Sequence, residues 1–400
     1  MLESISVENY KSIEKLTLPL GRVNVFIGEN GAGKSNILEA VALAGAAQAG
    51  KLDNEFLASR GIRVTGPQLM RSAFKARSTK GPIKIFTQVV TAGEFTYELR
   101  NDNKPYSSWE VSLNHNPRGD RSPIGKWLKD VMSSFASDAE REQFSKSFLK
   151  SLEAAAPVPG KNGLVSFSFQ VPEDLDPPKV NTGGIEHFII YAPENSALRT
   201  FEREGQIEPL GINGEGLLKL LRVTSSARNK AAIREIKESL KLFGWFKDLK
   251  VIKGKSGYGI QILDRFLDTT NPSFDQRSAN EGFLFLAFYL ALFTSNLTPR
   301  FFALDNVDSS LNPKLCEALM RRLATHAKEH DKQVLLTTHN PALLDGLNLR
   351  NPEHRLFIVS RGPDGQTRVR QFQTKPSGAK PRRLSELFLS GALGGLPKGF

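Results

Sequence analysis

Apolar and polar residues alternate over residues 2–27, and this period of two predicts short β-strands. The predicted opening hairpin turns near residues 9–12 and places four apolar side chains on one side: Ile5, Val7, Leu16 and Leu18. The unbroken apolar run at 23–27 predicts a buried strand. Strand-like segments at 83–90 and 95–99 predict an antiparallel sheet in the same half of the chain.

The middle of the chain changes to helical spacing. Seven apolar side chains share one predicted helix face within residues 124–155: Trp127, Leu128, Val131, Phe135, Phe144, Phe148 and Leu152. The other predicted elements in this region are a polar, turn-rich stretch at 101–123, strands at 165–171 and 185–192, helices at 214–243 and a hairpin at 251–263. An apolar helix at 283–293 and apolar strands at 301–305 and 333–338 follow.

These elements predict four regions. Residues 1–100 and 266–360 form two halves of one core, and residues 101–265 form an inserted lobe that is mostly helical with some strands. Residues 361–400 form a basic tail.

Composition narrows the class of protein. The 400 residues are 40% hydrophobic, which is enough for a sizeable core. The single cysteine, Cys316, excludes an intramolecular disulfide and argues against structural zinc. The longest apolar run, 283–293, is about half the length that spans a bilayer. The composition therefore predicts a cytoplasmic protein without a membrane partner.

The formal charge of +12 is unevenly distributed. Lys and Arg outnumber Asp and Glu by ten to four at 225–265, by ten to three at 350–400 and by eight to two at 51–84. Such clusters fit either contact with nucleic acid or a solvated face, and the sequence leaves both open. Three aromatic residues within the first cluster are predicted to be core rather than a base-stacking platform: Phe243, Trp245 and Phe246.

The segment from Gly28 to Ser35 fits the phosphate-loop pattern, and it follows a predicted strand as that pattern requires. Its backbone N–H groups would surround phosphates at the start of a helix. Lys34 would contact the β- and γ-phosphates, and Ser35 would hold Mg²⁺. The predicted nucleotide-binding residues of this segment are Asn30, Gly31, Gly33, Lys34, Ser35 and Asn36, and the predicted cofactors are ATP and Mg²⁺.

Two downstream strands end in polar residues. The strand at 301–304 runs into Asp305, an arrangement that places a carboxylate beside the Mg²⁺ of a bound triphosphate. The strand at 333–338 runs into His339. The order of phosphate loop, acid and histidine favours a role for all three in one site.

With these motifs the chain resembles the RecF/SMC-like branch of ABC-type ATPases. The resemblance implies an α/β fold with an ABC-type P-loop NTPase core, in which a mixed sheet carries flanking helices and an antiparallel β-subdomain. It makes 28–35 the Walker A motif, 301–305 the Walker B strand, 309–313 the D-loop and His339 the switch histidine.

The family's signature sequence caps the nucleotide of the opposite subunit. Its place corresponds in this chain to residues 278–282, which lack the usual serine-glycine-glycine core. The resemblance therefore implies that Ser278 or Asn280 contacts the γ-phosphate in trans and that Gly282 is the flexible residue. A homodimer or larger homo-oligomer, closed around two nucleotides, follows from this assignment.

Asn306 follows the Walker B acid where the family carries a glutamate as general base. An amide orients water but does not accept its proton, so the sequence predicts slow hydrolysis. Asp308 is either a substitute base or a helix N-cap. The glutamine that contacts Mg²⁺ in this family is either Gln68 or Gln88.

Two histidines, His326 and His330, lie four residues apart in a helical pattern. The sequence shows no third ligand near them and favours a solvated helix face over a metal site.

The chain also resembles compact, stand-alone ATPases of bacterial anti-phage systems, similar to PtuA-like and AriA-like proteins. This resemblance implies a sensor or scaffold that controls a separately encoded nuclease or toxin. No coiled coil is predicted, and the 61 residues after His339 argue against a nuclease domain in cis. The alternative is a RecF-like repair clamp that grips duplex DNA, whereas the large insert argues against a transporter motor.

Overall fold

A computed structural model describes most of the chain. The described residues are 1–74, 79–118, 132, 137, 141–142, 144–146, 158–159, 165–166, 181–201, 205–254, 257–268, 270, 273–308, 311–373 and 382–395. Most of the helical face predicted within 124–155 lies outside them, as does the strand predicted at 165–171 beyond its first two residues.

The strands and helices of the described residues are numbered in chain order. The strands are β1 (Leu2–Tyr10), β2 (Ile13–Pro19), β3 (Val23–Gly28), β4 (Ile83–Val89), β5 (Gly93–Arg100), β6 (Glu110–Pro117), β7 (Val158–Pro159), β8 (Val165–Ser166), β9 (Ile190–Tyr191), β10 (Phe246–Gly254), β11 (Gly257–Asp264), β12 (Ser273–Asp275), β13 (Phe301–Leu304), β14 (Gln333–Thr338), β15 (His354–Arg361) and β16 (Thr367–Phe372). The α-helices are α1 (Lys34–Gln48), α2 (Asn54–Ser59), α3 (Pro67–Met70), α4 (Asn195–Leu198), α5 (Leu217–Ser226), α6 (Ala231–Leu240), α7 (Glu281–Thr294), α8 (Pro313–Glu329) and α9 (Leu384–Leu389), and 3₁₀ turns cover Ile185–His187 and Pro341–Gly346.

The central sheet has six strands in the order β16-β15-β3-β14-β13-β9. All neighbours pair in parallel except β15 and β16, which pair antiparallel at one edge. The interior strands β3, β13 and β14 are buried along their whole length because helices or a second sheet cover both faces. The carboxyl ends of β3, β14 and β13 therefore lie side by side at one edge.

The second sheet is antiparallel, in the order β2-β1-β4-β5-β6. It confirms the predicted opening hairpin and the strands predicted at 83–90 and 95–99. A turn-rich stretch was predicted for 101–123. That prediction is wrong for Glu110–Pro117, which form strand β6 and pair with β5 along their full length. Side chains of this edge strand are mostly exposed, so the stretch lacks the apolar alternation that marks a half-buried strand.

Helix α1 lies between the two sheets. Twelve of its 15 residues are buried, and their side chains share one core with β1, β4 and β5 on one side and with Phe26, Leu335 and Phe357 of the central sheet on the other. A helix that is apolar all round fits this position because both of its flanks are covered. The packing holds the first turn of α1 at the carboxyl end of β3.

Helices cover the opposite face of the central sheet. Residues of α7 and α8 share a second core with α5, α6 and the β10–β11 hairpin. The helical prediction at 214–243 and the hairpin prediction at 251–263 are confirmed. The strand predicted at 185–192 is wrong in its first half, where a 3₁₀ turn precedes the two-residue strand β9.

The aromatic cluster beside α7 confirms the core prediction for Phe243, Trp245 and Phe246. The ring of Phe283 lies 5.8, 5.3 and 5.5 Å from their three ring centres, respectively. Aromatic pairs at these separations stabilise beyond the area they bury. Phe283 therefore joins α7 to the segment between α6 and β10.

Replacing Phe283 with alanine is expected to lower the free energy of unfolding by about 3–5 kcal/mol, because the ring is fully buried. Equilibrium denaturation measures the change. Phe266→Ala is the matched control, since Phe266 is 78% exposed and its loss should cost less than about 0.5 kcal/mol. Equal shifts for the two variants would contradict the packing described for α7.

Within the part of the chain that the structure describes, no helix has both the length and the apolar character needed to cross a membrane.

Candidate functional site

The site forms where neighbouring parallel strands end. The phosphate loop follows β3, Asp305 follows β13 and His339 follows β14. Ligand sites of open α/β sheets lie at this carboxyl edge. The side chain of Ser35 donates a hydrogen bond to Asp305 Oδ2 at 2.8 Å, so the two residues predicted to hold Mg²⁺ lie side by side although 270 positions separate them.

The phosphate loop is held by side chains from other elements. Gly33 has φ of 103°, and a Cβ at this position would lie 2.0 Å from Thr367 Oγ1, so the turn requires glycine. The Thr367 hydroxyl donates to Ala32 O at 2.9 Å and lies 2.6 Å from Ser12 Oγ. Asn36 Nδ2 donates to the same Ser12 hydroxyl at 2.6 Å. The β1–β2 turn and the start of β16 thus fix the loop from outside.

Lys34 is buried at the start of α1. Its ammonium donates to the backbone carbonyls of Gly28 at 2.8 Å and Glu29 at 2.9 Å. Burial lowers the pKa of Lys34 to about 8, although Asp305, Asp308 and Glu29 act in the opposite direction. The N–H groups of the Lys34 ammonium that would donate to phosphate oxygens donate here to these two loop carbonyls.

The turn after β13 is fastened to the end of β14. Thr337 donates its hydroxyl to Asp305 Oδ1, and the same hydroxyl accepts from the backbone N–H of Asn306 at 2.9 Å. Asn306 is exposed and adopts a left-handed φ of 56°, a conformation that asparagine tolerates better than most residues.

Asp308 accepts a hydrogen bond from Thr338 Oγ1 at 2.6 Å and another from the backbone N–H of His339 at 3.3 Å. It does not cap the following helix: Asn312 is the N-cap of α8 and accepts from Leu315 N at 2.9 Å. The N-cap alternative for Asp308 is therefore wrong. Residues 309 and 310 of the predicted D-loop lie outside the described residues.

His339 faces the phosphate loop. The groups that line one crevice of about 270 Å³ are Asn30, Gly31, Gly33, Lys34, Ser35, Asn36, Arg63, Asn306 and His339. Partial burial, and to a smaller extent the ammonium of Lys34, lowers the pKa of His339, so its imidazole is neutral near pH 7.

Arg63 is a crevice residue that the sequence did not reveal. Its Nε donates to Glu39 Oε1 at 2.5 Å and its Nη2 donates to Asn36 Oδ1 at 3.0 Å. Glu39 is buried within α1 and also pairs with the Lys11 ammonium. The only sequence signal was an acid at position 39 inside an otherwise apolar helix, which indicates a buried charge with a distant partner.

The predicted signature residues lie at the N-terminus of α7. Ser278 and Asn280 are exposed, and Asn280 caps the helix by accepting from Phe283 N at 3.3 Å. Gly282 is buried in the first turn of α7. None of the three lines the crevice around Lys34 in the same chain.

Arg199 holds the predicted signature segment in place. Its guanidinium donates to the backbone carbonyls of Gln276, Arg277 and Ala279 at 2.6, 2.7 and 2.9 Å. Arginine presents several donors in a rigid fork, which suits a bend whose carbonyls point to one centre. The sequence carried no signal for this contact because 77 positions separate Arg199 from Gln276.

The two candidate glutamines are placed differently. Gln68 is exposed on α3, and Gln88 lies half-buried on β4. Neither lines the crevice around Lys34, so the choice between them stays open.

The residues of the crevice, together with Asp305 beside Ser35, fit a magnesium–triphosphate ligand. Ser35 Oγ and Asp305 Oδ2 lie 2.8 Å apart. Both are oxygen ligands of the kind that coordinate Mg²⁺ together with phosphate oxygens and water. The ammonium of Lys34 and the guanidinium of Arg63 supply positive charge at the same crevice.

Comparison with known proteins agrees with this geometry. Residues 23–345 match the model of the AAA_21 family, described as "AAA domain, putative AbiEii toxin, Type IV TA system". The chain belongs to this family. The matched range includes the phosphate loop, Asp305 and His339, and the chain is therefore an ATPase of the AAA/ABC type.

Individual relatives of this AAA_21 protein are distant. An uncharacterized protein, MJECL10, of Methanocaldococcus jannaschii is 28% identical over 162 residues, which cover 38% of this chain and 72% of that protein. An Smc head crystallised with the C-winged helix domain of ScpA is 14% identical, with a TM-score of 0.54 and coverage of 93% of this chain and 98% of that chain. The SMC head domain from Thermotoga maritima is 16% identical with a TM-score of 0.44, covering 93% and 99%.

The AAA_21 chain thus has the fold of an SMC head, and the predicted RecF/SMC-like recognition and α/β P-loop fold class are confirmed. The four predicted domain ranges stay a prediction, as do the roles of the individual site residues.

Proposed function

We propose that this AAA_21 protein is an ATP-binding switch in which two copies close over two nucleotides and open again after slow hydrolysis. The division of the site supports this. Lys34 and Ser35 line one crevice, and Ser35 donates a hydrogen bond to Asp305, whereas Ser278 and Asn280 stand exposed at the start of α7 and do not line that crevice. A second copy of the chain is the proposed source of the missing cap.

Each residue then has a defined task. Lys34 exchanges its two loop carbonyls for phosphate oxygens, and Ser35 and Asp305 hold Mg²⁺, which when bound neutralises phosphate charge. His339, with a neutral imidazole, donates or accepts one hydrogen bond near the γ-phosphate. Asn306 orients the attacking water without taking its proton, and Asp308 holds the backbone of His339 in place.

The first test measures the mass of the full chain by size-exclusion chromatography with light scattering, with and without ATP and Mg²⁺. A mass that doubles only with ATP supports the switch. A mass that stays the same in both conditions contradicts it.

Arg199→Ala is expected to weaken ATP-dependent dimerisation at least about 10-fold, or about 1.4 kcal/mol. The substitution frees the segment at 276–279, and dimerisation must then order it at a cost in conformational entropy. Arg228→Ala removes an exposed arginine and serves as the control.

ATP binding by the Arg199→Ala monomer should stay unchanged, because Arg199 does not line the crevice. If this variant dimerises as tightly as the Arg228→Ala control, the assignment of 278–282 as the cap is wrong.

We further propose that the switch works in the cytoplasm as the sensor or scaffold of an anti-phage system, where it holds a separately encoded nuclease or toxin. The family description, which names a toxin and a type IV TA system, is compatible with this role. Similarity to PtuA-like and AriA-like proteins remains part of the proposal. Co-expression with neighbouring genes tests it: one gene product should co-elute with the chain, and the complex should depend on ATP.

A duplex-DNA clamp is the second candidate, and the net charge of +12 favours it. Lys314, Arg321 and Arg322 line one groove of about 390 Å³ on α8 together with Glu317, which pairs with Arg321, so Lys314 and Arg322 are the cations that a phosphate would meet there. ATP-dependent duplex binding by the chain alone, steeply weakened by salt, would support the clamp. Without such binding, the basic clusters are better explained as a solvated surface.

A further inference from the structure

A cluster of histidines and carboxylates joins α6 to α8. The solvated face predicted for His326 is wrong, because this residue is only 2% exposed and its face packs on α6. Glu235 comes from α6, and Glu329 comes from α8 beside the two histidines. One ligand atom from each of Glu235, His326, Glu329 and His330 lies within 4.8 Å of all the others.

The distances in this cluster fit a small cation. His330 Nε2 lies 2.9 and 3.0 Å from the two oxygens of Glu235. His326 Nδ1 lies 2.6 Å from Glu235 Oε1 and 3.5 Å from Glu329 Oε2. Tetrahedral zinc with bonds of about 2.0 Å separates its ligand atoms by about 3.3 Å. The spacings in the cluster lie on both sides of this value, so zinc binding would move His326 Nδ1 and Glu235 Oε1 apart by about 0.7 Å and draw the most widely separated ligand atoms together.

His326 is oriented as a ligand. Its Nδ1 is buried and, despite its closeness to Glu235, makes no hydrogen bond with suitable geometry. On the other side of the ring, Nε2 lies 3.2 Å from the hydroxyl of Ser239, which is also buried. A proton on Nε2, donated to Ser239, directs the Nδ1 lone pair into the cluster. Metal-binding histidines characteristically use their second nitrogen in this way.

Burial of the His326 ring works against its protonation. Burial lowers the pKa of His326, and His330 and Arg322 add to that effect, while Glu235 and Glu329 oppose it. Metal ions bind the neutral form of an imidazole.

We propose that Glu235, His326, Glu329 and His330 form a zinc site that fastens α6 to α8. Two carboxylates balance the charge of a divalent ion, and mixed nitrogen and oxygen ligand atoms suit zinc better than magnesium or calcium. The single cysteine argues only against a zinc site built from thiolates. The proposed site has imidazole and carboxylate ligands, so that argument does not apply to it. The ion would cross-link α6, in the middle of the chain, to α8, the helix that follows Asp305 and Asn306.

The test uses the full chain without a polyhistidine tag, stripped of metal with a chelator and held near neutral pH. Zinc is expected to raise the Tm by at least about 3 °C, and cobalt is expected to produce the visible absorption of a tetrahedral site. His330→Ala and Glu235→Gln, both at partly exposed positions, should each weaken zinc binding at least about 10-fold and abolish the cobalt spectrum.

His187→Ala is the matched control. His187 is an exposed histidine whose Nε2 lies 3.9 Å from Glu186, so it offers a similar pair of residue types outside the cluster. This variant should bind zinc like the wild type. Equal zinc binding by His330→Ala and the wild type would overturn the proposal. So would a wild-type Tm that responds to pH but not to zinc, because the cluster would then be an ion pair only.

Discussion

Replacement of Lys34 by alanine is expected to weaken ATP binding at least about 100-fold, or about 3 kcal/mol. The ammonium of Lys34 is buried at the crevice and interacts electrostatically with Asp305 and Asp308. Its loss removes charge-assisted hydrogen bonds to phosphate where little water can replace them. Titration with a fluorescent ATP analogue measures the change.

The same substitution should not destabilise the fold. Burial lowers the pKa of Lys34 to about 8, so the folded chain holds the charged form at a cost below that pH. By linkage, this lysine adds stability as the pH rises from about 8 toward its ordinary value near 10.5, and Lys34→Ala should lack that gain. Thermal melting across this pH range measures the difference.

Lys51→Ala is the control for Lys34→Ala. Lys51 is exposed just beyond the far end of α1, and its substitution should leave ATP binding unchanged. If Lys34→Ala binds ATP like this control, the loop after β3 is not the phosphate site. A lower Tm for Lys34→Ala would instead indicate that the two carbonyl contacts stabilise the empty loop.

Asn306→Glu is expected to raise the steady-state rate of ATP hydrolysis at least about 100-fold, because a positioned carboxylate supplies the general base that an amide lacks. The backbone at this position has φ of 56°, and glutamate adopts it less readily than asparagine, at a cost of about 1 kcal/mol. The variant should therefore melt slightly lower while it turns over faster. Phosphate release with excess ATP and Mg²⁺ measures the rate.

Asn306→Gln distinguishes the effect of a general base from the effect of a longer side chain. It extends the side chain as glutamate does but cannot accept the proton, so its rate should stay near that of the wild type. Equal rates for the asparagine and glutamate forms would contradict the slow switch. In that case Asp308→Asn tests the substitute base, and a loss of the wild-type rate would assign that task to Asp308.

Contiguous patterns were sufficient for a large part of this fold. The phosphate loop, the strand that precedes it and the apolar helix α7 are each specified by neighbouring residues, and local spacing reports their type. The order of the motifs predicted that Asp305 and His339 share one site with the phosphate loop. The pairing of β13 with β14 and of β14 with β3 brings the ends of these strands to one sheet edge. Strand β6 was missed since an exposed edge strand has no apolar face to detect.

The sequence by itself determined the class of this protein, because its motifs are short and each carries its own chemistry. Only the tertiary structure decided which distant partners complete them: Glu39 with Arg63, Arg199 with the carbonyls before α7, and Glu235 with His326. The physical reason is that a charge within a helix indicates a buried partner but not its position in the chain. Packing of helices and sheets selects that partner from dozens of residues with the same charge.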